Sequence, residues 1–271
     1  MAPINKFTTI AGILLTSIGL SFSAYGVDEN TLCQEGDSSC TFVIWSNATE
    51  KPTVINAERA NTPKSPFSTF KVANSVIGLD TGVIKNLQAE LGYDKSKYPA
   101  EKWWPSVWRL PKYTLANAFK FSVVPIYRQL ATDIGEPTMR QYLKTFNYGN
   151  QDISSGLDQF WLNGSMKISA VEQVEFLRQL NEGKLKLQPK SLSALKQVMV
   201  MNKKPNEIIY AKTGAGKTQD TAMLGWQVGF VENADGVHYF ALNFDNDSYK
   251  AMKSKRVALL MNHLKAAGIV K

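Results

Sequence analysis

The chain has little of what metal centres need: among 271 residues there are two histidines and two cysteines. His238 and His263 fall on a predicted strand and on the last predicted helix, without the clustered spacing of metal ligands. Both are interpreted as structural, which argues against a metal-dependent hydrolase. Cys33 and Cys40 lie in "CQEGDSSC" with no further ligands nearby. In an oxidising compartment they could close a small polar loop, so a disulfide or two unpaired thiols are favoured over a metal site.

Hydrophobic runs long enough to span a bilayer are also lacking. The most apolar stretch, residues 7–20, is short and is interrupted by serine and threonine. It follows Lys6 and precedes the small residues Ala24 and Gly26, as in a cleavable export signal, which we place at residues 1–26. Because no cysteine follows the run directly, a lipoprotein anchor is not expected. We therefore expect export to the periplasm without a stable membrane anchor.

A phosphate-binding loop lacks its first glycine. Residues 210–220 read "YAKTGAGKTQD", and Gly216-Lys217-Thr218 is the end of a Walker A motif. That motif needs a glycine five positions before the Gly-Lys-Thr, where this chain has Ala211 inside a predicted strand. The nucleotide interpretation is therefore weak, and Lys217 is expected to be solvated.

A concentrated basic patch is absent as well. The chain has 31 basic and 23 acidic residues, a formal net charge of +8, but the basic residues are spread along it. Residues 98–113, "YPAEKWWPSVWRLPKY", interleave aromatic and basic side chains as single-strand binders do. Their prolines and closely spaced tryptophans suit a packed loop better. We expect no nucleic-acid partner.

Strand signals lie at both ends of the chain, and helical signals lie between them. Two apolar runs flank a short polar turn near the start and predict a β-hairpin. From Glu207 onward the pattern returns to strands. The predicted strands are 41–46, 51–56, 207–214, 225–233 and 236–245.

The helical signals begin at residues 65–80, where Pro66 suits the first turn. Ser169 and Glu172 form a capping box before a helix that stops near Gly183, and residues 254–268 predict a last helix. The length of the chain suits a single domain of two lobes, with the site in the cleft between them. We expect that domain to cover residues 27–271, divided into a sheet lobe (27–65 and 206–271) and a mainly helical lobe (66–205).

Ser68-Thr69-Phe70-Lys71 is the motif with the clearest chemistry. Residues three apart share one face of a helix, so the Ser68 hydroxyl and the Lys71 amine can meet. A serine becomes a good nucleophile when a neighbouring base takes its proton, and a buried lysine with a lowered pKa can be that base. Alone, Ser-x-x-Lys is common by chance and usually marks a solvated helical turn.

Three further short motifs follow in order. Ser122-Val123-Val124 lies at a predicted helix start, where the hydroxyl is either a plain N-cap or a proton shuttle. Tyr148-Gly149-Asn150 would otherwise be interpreted as a turn. Lys212-Thr213-Gly214 ends a predicted strand, where a cation and a hydroxyl could bind a carboxylate and Gly214 would let the ligand approach the backbone. The four motifs in this order are much less expected by chance than any one alone.

With these motifs the chain resembles the class D serine β-lactamases, or oxacillinases. The neighbouring class A enzymes carry Ser-x-x-Lys, Ser-Asp-Asn and Lys-Thr-Gly; here the second element is Ser-Val-Val, and Tyr148-Gly149-Asn150 and Trp161-Leu162-Asn163-Gly164 are added. The likeness continues through "GWQVGFVE" and "FALNFD" to Arg256 and covers nearly the whole chain after the signal. It implies an α+β serine β-lactamase/penicillin-binding-protein-like fold: an antiparallel sheet flanked by terminal helices, with a helical lobe.

The resemblance also implies roles for the reacting groups. Ser68 would be the nucleophile that opens a β-lactam ring and carries the acyl group. Lys71 would carry a carbamate derived from carbon dioxide and act as general base, with no metal and no other cofactor. Ser122 would relay a proton to the leaving nitrogen. No obvious glutamate takes the class A deacylation role, which agrees with a base on Lys71.

The remaining implied residues surround that centre. The indole N–H of Trp161 would hold the carbamate, in an apolar surround that includes Phe70 and Val124. The backbone N–H groups of Ser68 and Ala215 would form the oxyanion hole. The substrate carboxylate would be held by Lys212, Thr213 and Arg256, and Tyr148 and Asn150 would shape the site.

Other functions remain open at this stage. A penicillin-binding or penicillin-sensing protein would keep the fold and acylate Ser68 without efficient turnover. A D-alanyl-D-alanine peptidase is less favoured because of Trp161 and Tyr148-Gly149-Asn150, and a non-enzymatic periplasmic binding protein would not need Ser68. Substrate preference depends on loops around Trp103, Trp108 and Met223, and it stays open together with the oligomeric state.

Overall fold

The computed structural model describes residues 32–218 and 222–271, so the expected export signal lies outside the described residues. Its centre is a six-stranded sheet in the order β2-β1-β6-β5-β4-β3, with all neighbouring strands antiparallel. The predicted hairpin near the start is confirmed, since Val43 pairs with Val54. The strands are β1 Cys40–Ser46, β2 Thr53–Ile55, β3 Val200–Lys204, β4 Glu207–Lys217, β5 Met223–Asn233 and β6 Gly236–Asn246.

Most helices lie in the chain between β2 and β3, and one follows β6. The capping box predicted at Ser169 and Glu172 is present at the start of α6. The α+β class expected from the sequence is therefore confirmed. The helices are α1 Ala57–Asn61, α2 Lys71–Asp80, α3 Leu115–Lys120, α4 Val124–Ile134, α5 Glu136–Phe146, α6 Ala170–Asn181, α7 Pro189–Met199 and α8 Tyr249–Ala266.

The sheet buries apolar side chains on both faces. Successive residues of a strand point to opposite faces, so Phe42 and Val43 of β1 belong to different cores. Phe42 packs in the core that includes Leu260 of α8. Val43 belongs to the larger core formed with the helical layer. The result is three layers, with α8 covering one face and the other helices the opposite face.

The helix predicted for residues 65–80 has a different start and a different environment from those expected. It opens with a 3-10 turn, Phe67–Phe70, and α2 itself begins at Lys71. The sequence indicated one apolar face, but residues 71–79 are all buried, because α2 is packed between α4 and α7. A helix that is enclosed on every side can bury a lysine only where the structure gives that side chain a partner.

Two boundaries also differ from the prediction. The strand β3 lies in a segment predicted to hold helices and loops; it forms the edge of the sheet through backbone pairing with β4, which its polar sequence does not signal. The last helix was predicted for residues 254–268, but it begins at Tyr249, because Ser248 accepts a hydrogen bond from the Ala251 N–H and caps it.

No helix among the described residues combines the length and the apolar character required to cross a bilayer. The structure joins Cys33 and Cys40 in a disulfide, and the loop that this bond closes is organised around Asn56. The Asn56 amide donates hydrogen bonds to the carbonyl oxygens of Gln34, Asp37 and Cys40. Its oxygen accepts one from the Gly36 N–H.

We expect Asn56→Ala to lower the free energy of unfolding by about 3 kcal/mol, since it removes several buried hydrogen bonds and leaves alanine in a left-handed conformation. Asn56 has φ 57°. Urea unfolding measures the change. The matched control is Asn61→Ala, whose side chain makes one exposed hydrogen bond to Ala57 and should change stability by less than about 0.5 kcal/mol. Equal losses in both variants would contradict this role for Asn56.

Candidate active site

Ser68 and Lys71 meet at the start of α2. Lys71 Nζ lies 2.8 Å from Ser68 Oγ, so the contact expected from their spacing is present. The 3-10 turn explains the close approach, because residues three apart eclipse one another in that geometry. Ser68 is half-buried and Lys71 is fully buried. A reagent entering the site therefore reaches the hydroxyl first, with the amine behind it.

The environment of Lys71 favours the neutral amine. Burial, together with the nearby charge of Lys212, holds the pKa of Lys71 well below its usual range. The ring of Tyr127 lies beside the amine, 5.1 Å from Nζ to the ring centroid. A neutral amine can accept the proton of the Ser68 hydroxyl, whereas an ammonium cannot.

Two further basic side chains follow: Lys212 lies near Lys71, and Arg256 lies near Lys212. Lys212 on β4 is almost fully buried, and burial together with the charge of Arg256 lowers its pKa to about 7. Arg256 reaches across from α8 and donates from Nη1 to the Gly214 carbonyl oxygen at 3.3 Å. Each of these charges disfavours the next, so the row Lys71, Lys212 and Arg256 is suited to an anion.

Among the described residues, four buried polar atoms of the predicted site residues have no hydrogen-bond partner: Ser122 Oγ, Tyr148 Oη, Trp161 Nε1 and Arg256 Nε. Leaving such an atom unpaired costs about 1–3 kcal/mol, so each of these atoms is available to a bound group. Ser122 has φ 55° and precedes Val123, the N-cap of α4. The plain N-cap alternative for Ser122 is therefore wrong.

An aromatic cluster packs behind the 3-10 turn that carries Ser68. The ring of Phe70 stacks on Trp161, with centroids 5.2 Å apart, and meets Tyr148 edge-on. Val124 is half-buried and packs against the same core. Because Phe70 directly precedes Lys71, this apolar packing contributes to the burial that lowers the pKa of Lys71.

The Lys-Thr-Gly motif lies inside strand β4 rather than at its end, since β4 continues to Lys217. Lys217 is exposed, as expected, and the part of the phosphate-loop-like stretch up to Lys217 is an extended strand. A side chain at Gly214 would lie 2.8 Å from the Pro66 carbonyl oxygen. Glycine at that position therefore lets β4 pack directly against the turn that carries Ser68.

The other predicted site residues, Thr213, Tyr148 and Asn150, differ in where they lie and in how exposed they are. Thr213 lies on the α8 face of β4, the side from which Arg256 comes, because strand residues alternate and Ala215 packs in the α8 core. Tyr148 is buried. Asn150 is exposed and is engaged within its own loop, donating to the Ser165 carbonyl oxygen and accepting from the Lys167 N–H.

Gln173, which no sequence motif indicated, contacts the turn that carries Ser68 from the side of α6. Its Nε2 donates to Thr69 Oγ1 at 2.8 Å, and Thr69 Oγ1 donates in turn to the Pro66 carbonyl oxygen at 2.8 Å. Gln173 is buried on α6 among Val174 and Leu177. Its amide side chain lies among the buried apolar residues of α6, and a polar residue at such a position could have indicated Gln173 from the sequence.

No group of three or more histidine, cysteine, aspartate and glutamate side chains in residues 32–218 and 222–271 is arranged to hold a metal ion.

Comparison with known families agrees with this geometry. Residues 41–264 match the model of the penicillin-binding protein transpeptidase domain, which spans most of the chain and both sides of the site. The fold is thus that of the penicillin-binding protein transpeptidase domain.

Individual relatives narrow the class. The chain is 34% identical to the β-lactamase OXA-10 of Pseudomonas aeruginosa over 89% of this chain and 91% of that protein. It is 39% identical to the β-lactamase OXA-48 of Klebsiella pneumoniae over 78% of this chain and 77% of that protein. The crystal structure of FUS-1 (OXA-85), a class D β-lactamase from Fusobacterium nucleatum subsp. polymorphum, superposes with a TM-score of 0.78 at 33% identity, covering 86% and 93% of the two chains. The chain belongs to the class D serine β-lactamase family.

A regulatory protein is also similar. The chain is 27% identical to BlaR1 of Bacillus licheniformis over 89% of this chain, which corresponds to 39% of that protein.

Proposed function

We propose that this protein hydrolyses β-lactam antibiotics through an acyl-enzyme on Ser68. The observation that carries the proposal is the fully buried Lys71 amine, 2.8 Å from the Ser68 hydroxyl and held below its usual pKa. Such a pair activates a serine without a histidine. Membership of the class D family supplies the substrate class, whose shared features are a strained amide and a nearby carboxylate.

In this proposal Ser68 loses its proton towards the Lys71 side chain and attacks the β-lactam carbonyl carbon. The backbone N–H groups of Ser68 and Ala215 stabilise the oxyanion, and one such donor contributes on the order of 3 kcal/mol. The C–N bond of the ring then breaks, and Ser122 passes a proton to the leaving nitrogen. Water subsequently hydrolyses the ester on Ser68.

Lys212, Thr213 and Arg256 hold the substrate carboxylate in this scheme. Arg256 offers a charge-assisted hydrogen bond to that carboxylate. Lys212 is buried, and burial strengthens the attraction between its charge and the carboxylate. Tyr148 and Asn150 act indirectly, Tyr148 through packing and Asn150 by holding its loop against Lys167.

The residues around Lys71 fit the carbamate that the family implies. Formation of a carbamate from carbon dioxide requires a neutral amine, and Lys71 has the environment for one. The unpaired indole N–H of Trp161 is a donor suited to hold a carbamate oxygen, and Phe70 keeps the surround apolar. When present, the carbamate supplies an ionised oxygen base beside Ser68.

The test is hydrolysis of a chromogenic cephalosporin by the purified chain, with and without added bicarbonate. Many turnovers per enzyme, at a rate that rises with bicarbonate, are the expected result. Turnover indifferent to bicarbonate after exhaustive degassing at low pH would contradict the carbamate and leave the serine chemistry standing.

Penicillin sensing is the second candidate, and the similarity to BlaR1 is the observation that favours it. A sensor would be acylated on Ser68 and remain so. In the same assay it would give a single burst equal to the enzyme concentration. Its intact mass would then stay raised by one ligand, whereas the hydrolase returns to its original mass.

The pKa of Lys212 predicts how the binding of the substrate carboxylate depends on pH. Because the folded-state pKa is lowered to about 7, the charge on Lys212 is present below that value and is lost as the pH rises through it. We therefore expect the KM of penicillin to increase above about pH 7. In Lys212→Arg the charge persists, so this increase should disappear. A wild-type KM that is flat between about pH 6 and pH 9 would contradict the assignment.

We also propose that residues 27–271 form a single catalytic domain, and that the chain acts in the periplasm on small-molecule β-lactams. The signal-like residues 1–26 support export, and the site lies between the sheet and the helical layer.

A further inference from the structure

Phe67, the residue before Ser68, has an unusual backbone conformation. Its φ is 48°, in the left-handed region that a bulky side chain rarely occupies. Such strain persists only where the surroundings enforce it, and it gathers at functional sites. Phe67 is nevertheless almost fully buried, with 4% of its surface exposed. Packing contacts with the surrounding residues must therefore fix the position of this ring.

The ring lies against the backbone of Gly216 on β4. A Cβ atom added to Gly216 would be 2.1 Å from Phe67 Cε1 and 2.4 Å from Cδ1. No side chain can occupy that space while the ring is there, so the observed position of the Phe67 ring requires glycine at position 216. Strand β4 also approaches the turn closely two residues earlier, at Gly214, where an added Cβ would meet the Pro66 carbonyl oxygen.

This contact joins the two segments that must be aligned for the oxyanion hole. Phe67 is the residue before Ser68 and Gly216 is the residue after Ala215, so the ring bridges the neighbours of both proposed N–H donors. From behind, Gln173 holds Thr69 on the opposite side of Ser68. The turn is thus fixed on one side by a hydrogen bond and on the other by ring packing.

We propose that Phe67 is a positioning residue: its ring, seated on Gly216, sets the separation between the Ser68 and Ala215 N–H groups and so tunes oxyanion stabilisation. The proposal deepens the function proposed above and rests on it. Phe67 does not touch the reacting atoms in this account. Its contribution is transmitted through the backbone, where a displacement of about 1 Å can cost about 10²-fold in rate.

A double-mutant cycle tests the contact through Gly216→Ala, Phe67→Ala and the double variant. Gly216→Ala alone should lower kcat/KM for penicillin about 10²-fold, because the new Cβ displaces the ring and the turn. In the Phe67→Ala background the same methyl finds room. The double variant should therefore be within about threefold of Phe67→Ala alone. Losses that multiply in the double variant would overturn the proposal.

Affinity for a tetrahedral adduct separates positioning from general damage. Phenylboronic acid bonds to the serine oxygen and places an oxygen in the oxyanion hole, so its Ki should rise in parallel with the loss of kcat/KM. Affinity for the hydrolysed, non-covalent product should stay within about twofold, since it does not use the hole. Unchanged phenylboronic acid Ki in Phe67→Ala would overturn the proposal even if Gly216→Ala does not fold.

Two controls accompany the cycle. Gly92 is exposed, and an added Cβ there would meet nothing within 4 Å, so Gly92→Ala should leave both constants unchanged. Phe146→Ala removes a buried ring from α5 and should lower the melting temperature without changing the phenylboronic acid Ki. A wild-type protein that neither turns over nor acylates would refute the proposed function itself, a result distinct from failure of the cycle.

Discussion

Ser68→Ala is expected to lower kcat for β-lactam hydrolysis by at least about 10⁴-fold, because removal of the proposed nucleophile eliminates the acyl-enzyme route. The loss should fall on kcat/KM as well, while non-covalent binding of the intact substrate remains. Ser68 is half-buried within the 3-10 turn Phe67–Phe70, whose other side chains stay in place. The melting temperature should therefore change little. Steady-state rates with a chromogenic cephalosporin and equilibrium binding of penicillin measure the two effects.

Ser193→Ala is the matched control, since Ser193 is exposed on α7. Its kcat should equal that of the wild type within error. Retention of more than about 1% of the activity in Ser68→Ala would refute covalent catalysis by this serine. It would return attention to a binding protein or to another nucleophile.

Lys71→Ala is expected to produce the second large effect, a loss of about 10³-fold in kcat. Without the buried amine, nothing in the turn accepts the proton of Ser68 or activates water against its ester. Acylation should slow, and the acyl group that does form should remain for hours. Intact mass spectrometry during reaction with penicillin measures the fraction of acylated protein.

Lys217→Ala provides the comparison, because Lys217 is the exposed lysine at the end of the same strand β4. It should behave as the wild type. Bicarbonate should stimulate the wild type and leave Lys71→Ala unchanged. Rapid loss of the acyl group from Lys71→Ala would show that the base for hydrolysis lies elsewhere.

The part of the site that sequence predicts is the local part. Ser68 and Lys71 lie three residues apart in one turn, so their contact follows from the geometry of the turn itself. The Ser169–Glu172 capping box and the β1–β2 hairpin were predictable for the same reason, since each joins residues close in the chain.

Long-range packing explains what the sequence could not predict. Gln173 contacts Thr69, which lies 104 residues away in the chain. The ring of Phe67 contacts Gly216, which lies far along the chain on strand β4. Neither contact is indicated by a pattern in the sequence around either of its residues. The edge strand β3 was missed because backbone pairing with β4, rather than an alternating pattern, makes it a strand.

Burial of cations is the feature that connects the fold to the chemistry. Lys71, Lys212 and Arg256 come from α2, β4 and α8, and each lies almost entirely inside the protein. Burial lowers the pKa of all three side chains. The charge of Lys212 lowers the pKa of Lys71 further, and the charge of Arg256 lowers that of Lys212. The arrangement that favours the neutral form of the Lys71 amine thus also provides an attraction for a carboxylate.

The most direct test of the central claim is the mass of the protein during turnover of penicillin, with the reaction stopped by acid and the adduct mapped by peptide digestion. We expect a transient adduct of one penicillin on the peptide that contains Ser68, which disappears once the substrate is consumed. An adduct on another residue, or sustained turnover with no adduct at any time point, would contradict the account.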